Sequence, residues 1–234
     1  MPIPLSPFAS SKSIYAGLTV VVLKPSTGRL SAVTAATSTL TLASHGLADG
    51  DAVTFVSGTG FTGLTAGTPY YVVASTSSTF GLAATPGGAA IAVGTSSAGV
   101  FDKTVIFESR MIDSELEQDE KHIELPDASG VLRRVRSVLT KQQESFKFEV
   151  MEAKRLLAIF GGAMAGRITG KTTLYIPDPD DVSGKVALKS ETDFDATITR
   201  DGGVKFGDAD FTKATIKLTS NKKGAITWTA DATV

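Results

Sequence analysis

The sequence predicts a mainly β protein: a main β-domain with one packed α-helix and a small β-domain inserted into it. Three observations predict this. Short stretches of apolar and polar alternation recur along the chain, parted by turn residues. Only one segment carries helical periodicity. Charge is also unevenly spread, for between Leu30 and Phe101 the only charged residues are Asp49 and Asp51.

The elements follow in order. Leu18-Thr-Val-Val-Val-Leu23 is apolar on both faces, so it reads as a central or buried strand. The neutral window then offers about five short strands: Ser38–Ala43, Ala52–Val56, Pro69–Ala74, Thr79–Ala83 and Ala90–Val93. Asp49-Gly50, Gly58-Thr-Gly60, Thr65-Ala-Gly67 and Pro86-Gly87-Gly88 supply the turns between them. A strand restarts at Lys103–Glu108, an acidic stretch runs from Asp113 to Asp127, and a basic one from Arg133 to Lys147. Ser145–Val150 alternates with Phe146, Phe148 and Val150 on one face. Within Met151–Phe160 an apolar stripe joins Ala153, Leu156, Leu157 and Phe160, stopped by Gly161-Gly162. Thr172–Ile176, Ala196–Thr199, Lys213–Leu218 and Ala225–Thr229 close the chain as strands. The division expected is a discontinuous β-domain of residues 1–30 and 100–234, with residues 31–99 inserted.

Composition narrows the function classes. With 23 Lys and Arg against 24 Asp and Glu, the chain lacks the basic surplus of a duplex-binding protein. No cysteine is present, so disulfides, thiolate metal sites and a Cys nucleophile are absent. His45 and His122 stand far apart, without partner sets, and read as ordinary surface or turn histidines. The N-terminus has neither a basic nor an apolar leader region, and no run reaches the ~18–20 apolar residues that span a bilayer, so folding in a cytoplasm is expected.

Three motif matches fail on context. Gly58-Thr-Gly60-Phe-Thr-Gly63 fits the dinucleotide pattern, but a strand rather than a helix follows, and no acid occurs from Thr54 to Val100. Ala165–Thr172, with Gly170-Lys171, loosely fits a phosphate loop but leaves a helix for a strand, the inverted order, and reads as a loop or subunit contact. Asp178-Pro-Asp-Asp181 and Asp208-Ala-Asp210 lack cation-loop spacing and read as solvated turns. No catalytic, cofactor or metal residue is expected, and no enzyme.

The neutral segment is recognisable. His45-Gly-Leu-Ala-Asp49-Gly-Asp51-Ala-Val-Thr-Phe55, then Thr62–Val73, then Thr79-Phe-Gly-Leu-Ala83 resembles a small β-module that recurs in phage tail and virion proteins. The remainder resembles the tail-tube family of long-tailed phages in its order of elements: an early strand, a long charged strand-loop-strand (Phe101 to Leu139), a strand feeding one helix, and a strand-rich end. That resemblance implies a tail-tube-like β-sandwich or barrel core that forms hexameric rings, stacked into a conduit through which DNA leaves the virion. It implies copies of itself as partners, with tape-measure, terminator and distal-tail proteins, and no cofactor or membrane. An exposed module would clash with a contractile sheath, which favours the non-contractile kind. A capsid-decoration, baseplate or tail-terminator protein is the alternative.

Charge adds two arguments to the tube reading. From Asp102 to Asp127 nine acids face three bases, which would repel DNA from a lumen wall. The basic stretch that follows offers a complementary zone for stacking. Glu115, Glu117, Asp119 and Glu120, with Arg133, Arg134 and Arg136, are the expected inter-ring or lumen residues. Reversing Glu115, Glu117 and Glu120 to Lys is expected to block tube growth while leaving the monomer folded.

Overall fold

A computed structural model describes residues 19–126, 128–150, 157, 159–160, 166–177, 186–206, 212–222 and 224–232. The chain is mainly β, and every strand pairing is antiparallel. The strands are β1 (Thr19–Pro25), β2 (Arg29–Thr37), β3 (Thr39–Thr41), β4 (Ala52–Gly58), β5 (Pro69–Val73), β6 (Thr79–Ala83) and β7 (Gly94–Pro126). They continue as β8 (Leu132–Val150), β9 (Arg167–Pro177), β10 (Val186–Ser190), β11 (Phe194–Phe206), β12 (Thr212–Ser220) and β13 (Trp228–Ala232).

The pairings close two rings. In the first, β1 joins β7, β7 joins β8, and the ladder returns through β12, β11 and β9 to β1. In the second, β7 joins β2, and the ladder returns through β3, β6, β5 and β4 to β7. Closure leaves the strands within each ring without open edges, the usual hazard of an all-β protein. A barrel of so few strands is filled by its own side chains. Phe107, Phe146, Phe148, Leu174, Ile198, Ile216 and Leu218 fill the first. Leu40, Val53, Val72, Phe80, Leu82 and Phe101 fill the second. Each fully buried side chain of this size contributes about 1.5–3 kcal/mol.

The two-sided hydrophobicity of β1 now has a cause. Val21 and Leu23 point into the first barrel. Val20 and Val22 point outward and pack with Ile106 and Tyr175 against Ala52 and Tyr71 of the second barrel. Strand β7 is shared by both barrels: residues up to Thr104 pair with β2 and β4, and Val105 to Ser109 pair with β1.

Several expectations are corrected. Ala90–Val93 is not a strand; Val93 is buried and donates its N–H to the carbonyl of Thr37, and Gly94, the first residue of β7, holds φ +76°. Gly170-Lys171 lies within strand β9 rather than in a loop. Gly170 is required there because a methyl group would run into the carbonyl of Lys24 on β1. His45 is buried, not superficial: its Nδ1 accepts the Leu47 N–H at 3.0 Å and its ring lies 4.9 Å from Phe80. The last strand begins at Trp228, not Ala225. Strands β2 and β10 were not expected at all.

The expected helix over Met151–Phe160 falls mostly outside the described residues, as do Asp178–Asp181 and Asp208–Asp210. Leu157, Ile159 and Phe160 are helical. Ile159 is buried in the first core and Phe160 packs against it, whereas Leu157 is 40% exposed. Two residues are about 200° apart around a helix, so the inward face runs through Ile159, not Leu157.

The Gly58-Thr-Gly60-Phe-Thr-Gly63 segment has a packing explanation. Gly58 pairs in register with Gly99, and the ring of Phe61 lies over both glycines, near Phe55 and Phe101 at 5.2 and 5.7 Å. Gly60 and Gly63 adopt positive φ beside the carbonyls of Thr95 and Ala92. The glycines therefore serve close packing against Phe61 and the chain from Ala92 to Gly99.

Candidate assembly surface

Strand β7 has 33 residues and β8 has 19, longer than either barrel uses. The ladder to β1 ends at Ser109, and the ladder to β12 ends at Ser145. Beyond those points β7 and β8 pair with each other as far as Pro126 and Leu132. The stretch expected as a loop, Asp113–Asp127, is thus a strand through Pro126 and one side of a long hairpin ribbon. At about 3.3 Å per residue the ribbon from Asp113 to its tip runs roughly 45 Å. Its base is tied down: Gln143 donates its side-chain N–H to the Ser220 carbonyl at 3.0 Å, and the Glu144 carboxylate accepts the Ile226 N–H at 2.8 Å.

Cross-strand chemistry explains how so charged a sequence forms strands. Most of the ribbon's acids lie on β7 and most of its bases on β8, so opposite charges face each other at some register positions, an arrangement that favours pairing. Asp119 is opposite Lys141 and Glu124 opposite Arg134, whereas Lys147, opposite Asp113 at the base, pairs with Asp201 of β11 at 3.5 Å. The acidic and basic zones are therefore neighbouring strands, not separate faces of the subunit. From Asp113 to Lys147 the sequence has eight acids and six bases, a net of −2.

All seven expected residues lie on this ribbon. Glu115, Glu117 and Asp119 are opposite Ser145, Gln143 and Lys141, and alternation puts them on one face. Glu120 is on the other face, opposite Leu139. Arg133, Arg134 and Arg136 are opposite Leu125, Glu124 and Ile123 near the tip. The glutamates Glu115, Glu117 and Glu120 are exposed, as are Arg134 and Arg136.

The sequence reading missed the apolar residues among these charges. Ile123, Leu125 (54% exposed), Val131 and Leu132 (62% exposed) crowd the tip, and Ile112 and Leu116 are exposed nearer the base. Among the described residues the other large exposed apolar side chains are Leu157 and Leu188. The readable signal was Ile-Glu-Leu-Pro126 and Val131-Leu132 on either side of a turn, inside charge runs.

A concavity lies at the seam of the barrels. This open cleft of about 560 Å³ is lined by Lys24, Arg29, Asp102, Lys171, Asp195 and Asn221, among others. Its cations are engaged: Lys24 with Asp193 at 2.8 Å, Arg29 with Asp102 at 2.9 Å, and Lys171 with Asp195 at 2.9 Å. Among the described residues no three His, Asp or Glu side chains gather as a metal site. No family model matches the chain, and neither a curated protein nor a solved structure matches it.

Proposed function

We propose that the protein is a structural virion subunit that assembles with its own copies into stacked rings, the tail tube of a long-tailed, non-contractile phage. The ribbon carries this reading. A two-stranded hairpin is marginal in water by itself, and this one holds exposed large apolar side chains at the end of a roughly 45 Å reach. Such an arm gains by lying on a neighbouring body. Arm-to-body contact is head-to-tail, the kind that closes into rings when the rotation permits.

In this reading residues 1–30 and 100–234 form the tube-building body, with a helix over Met151–Phe160 packed on it. Residues 31–99 form the inserted module on the outside, where a nearly charge-free surface lets copies sit close together. The subunit performs no reaction and needs no cofactor. DNA would pass without tight binding, because neither the ribbon nor the chain, at a net −1, offers phosphates a basic surplus. Tape-measure, terminator and distal-tail proteins would complete the assembly in the virion. Negative-stain microscopy of the concentrated protein tests the reading: rings or tubes of uniform diameter are expected, and isolated monomers or trimers would refute it.

A further inference from the structure

Resting on that self-assembly reading, we infer that the ribbon's charges hold its own two strands together and that its apolar tip makes the contact with the next copy. Three observations carry this. First, charges are matched within the ribbon, with Glu124 opposite Arg134 and Asp119 opposite Lys141. No barrel core lies beneath these pairs, so cross-strand attraction takes the place of burial. Second, large apolar side chains are exposed on both faces beside the turn, Ile123 and Leu125 on one and Leu132, opposite Pro126, on the other, where nothing in the ribbon's own pairing calls for them. Third, the chain's net charge of −1 gives copies little mutual repulsion, which favours association with self.

The area also favours a second copy as the occupant. One face of the ribbon, roughly 45 Å by 10 Å, offers about 450 Å², so docking would bury about 900 Å² over both sides. That lies below the ~1,200–2,000 Å² of a stable two-body interface. A ring doubles it, because each copy then gives one ribbon and receives one.

The consequence is opposite to an ionic interface. Screening should weaken the ribbon's internal pairs but leave the tip contact intact. Raising salt from about 0.1 M to about 1 M, which shortens the screening length from about 10 Å to about 3 Å, should not dissolve assemblies already formed.

The test uses the full chain with four variants: Leu125→Ser/Leu132→Ser, Glu124→Arg, Arg134→Glu, and the swap Glu124→Arg/Arg134→Glu. Sedimentation reads assembly, and amide exchange in dilute protein reads the ribbon. The tip variant should lose the fast-sedimenting species with ribbon protection unchanged. Each single reversal should lower ribbon protection about five-fold, and the swap should restore both protection and assembly. The inference is overturned if the wild type assembles and the tip variant assembles equally well. It is also overturned if single reversals abolish assembly with protection intact and the swap fails to rescue, since the charges would then face the neighbour. A wild type that stays monomeric refutes the self-assembly reading itself, and with it the tip contact; the swap still shows whether the charges act within the ribbon.

Discussion

Replacing Gly99 by Ala tests how the second barrel is packed. A Cβ built on Gly99 would stand 2.5 Å from Phe61 Cε2 and Cζ, and one on Gly58 would stand 2.6 Å from Phe61 Cδ2. The nearest atoms belong to a ring that itself packs near Phe55 and Phe101. The methyl must displace that ring, an overpacking cost of about 1–3 kcal/mol. Phe61→Ala loses two aromatic contacts of about 0.5–1.5 kcal/mol each, plus part of a ring's burial, for a total of about 2–3 kcal/mol. Once the ring is gone, the Gly99→Ala methyl has space, and Ala gains about 0.5–1 kcal/mol over Gly in a strand. The double variant should therefore match Phe61→Ala alone within about 1 kcal/mol, a coupling of about 1.5–4 kcal/mol. Urea unfolding followed by far-UV circular dichroism measures all three. Additive costs would mean that the glycine slot is not what seats Phe61.

Three further outcomes are expected. Burial, with the Asp193 charge second, pushes the Tyr175 phenol up to about 12 from its ordinary 10. A raised pKa contributes stability that is complete below pH 10 and lost as pH rises through about 12, so Tyr175→Phe should flatten the alkaline fall in melting temperature; an unchanged slope would count against it. Asp193 holds φ +59° and pairs with the nearly buried Lys24 ammonium. Asp193→Asn keeps that backbone option but leaves the cation without its counter-charge, costing about 1–3 kcal/mol in chemical unfolding; no loss would show the pair to be idle. Gly170→Ala sets a methyl against the Lys24 carbonyl, where backbone must move, and should cost about 3 kcal/mol or more. The single tryptophan, Trp228, packs edge-on to Phe146 at 5.8 Å in the first barrel, so its fluorescence reports that loss, and an unaltered melt would contradict it.

Alternation made much of the fold legible. Ser145–Val150 and Lys213–Leu218 have inward Phe, Val, Ile and Leu, and both pack in the first core as expected. Strand β2 escaped because Leu-Ser-Ala-Val-Thr-Ala-Ala carries small residues that leave little contrast between faces. The stretch after Asp113 escaped for the opposite reason. Its charges mimic a solvated loop, and only pairing with the basic β8 makes them a strand. His45 was misplaced because one histidine between Ser44 and Gly46 carries no period to read. All seven expected charged residues lie on one ribbon, but none is the register partner of another: Asp119 faces Lys141, Arg134 faces Glu124, and the rest face uncharged residues. That arrangement depends on register, which local sequence does not reveal.

The ribbon's role can be tested by removing it. Glu117 and Gln143 are register partners, so replacing the chain between them with an Asn-Gly turn closes a short hairpin and leaves both barrels whole. Negative-stain microscopy and sedimentation of the two proteins at equal high concentration should show uniform rings or tubes for the wild type. The shortened chain should be a folded monomer with unchanged Trp228 fluorescence. Equal assembly of both chains, or none by either, would contradict the account.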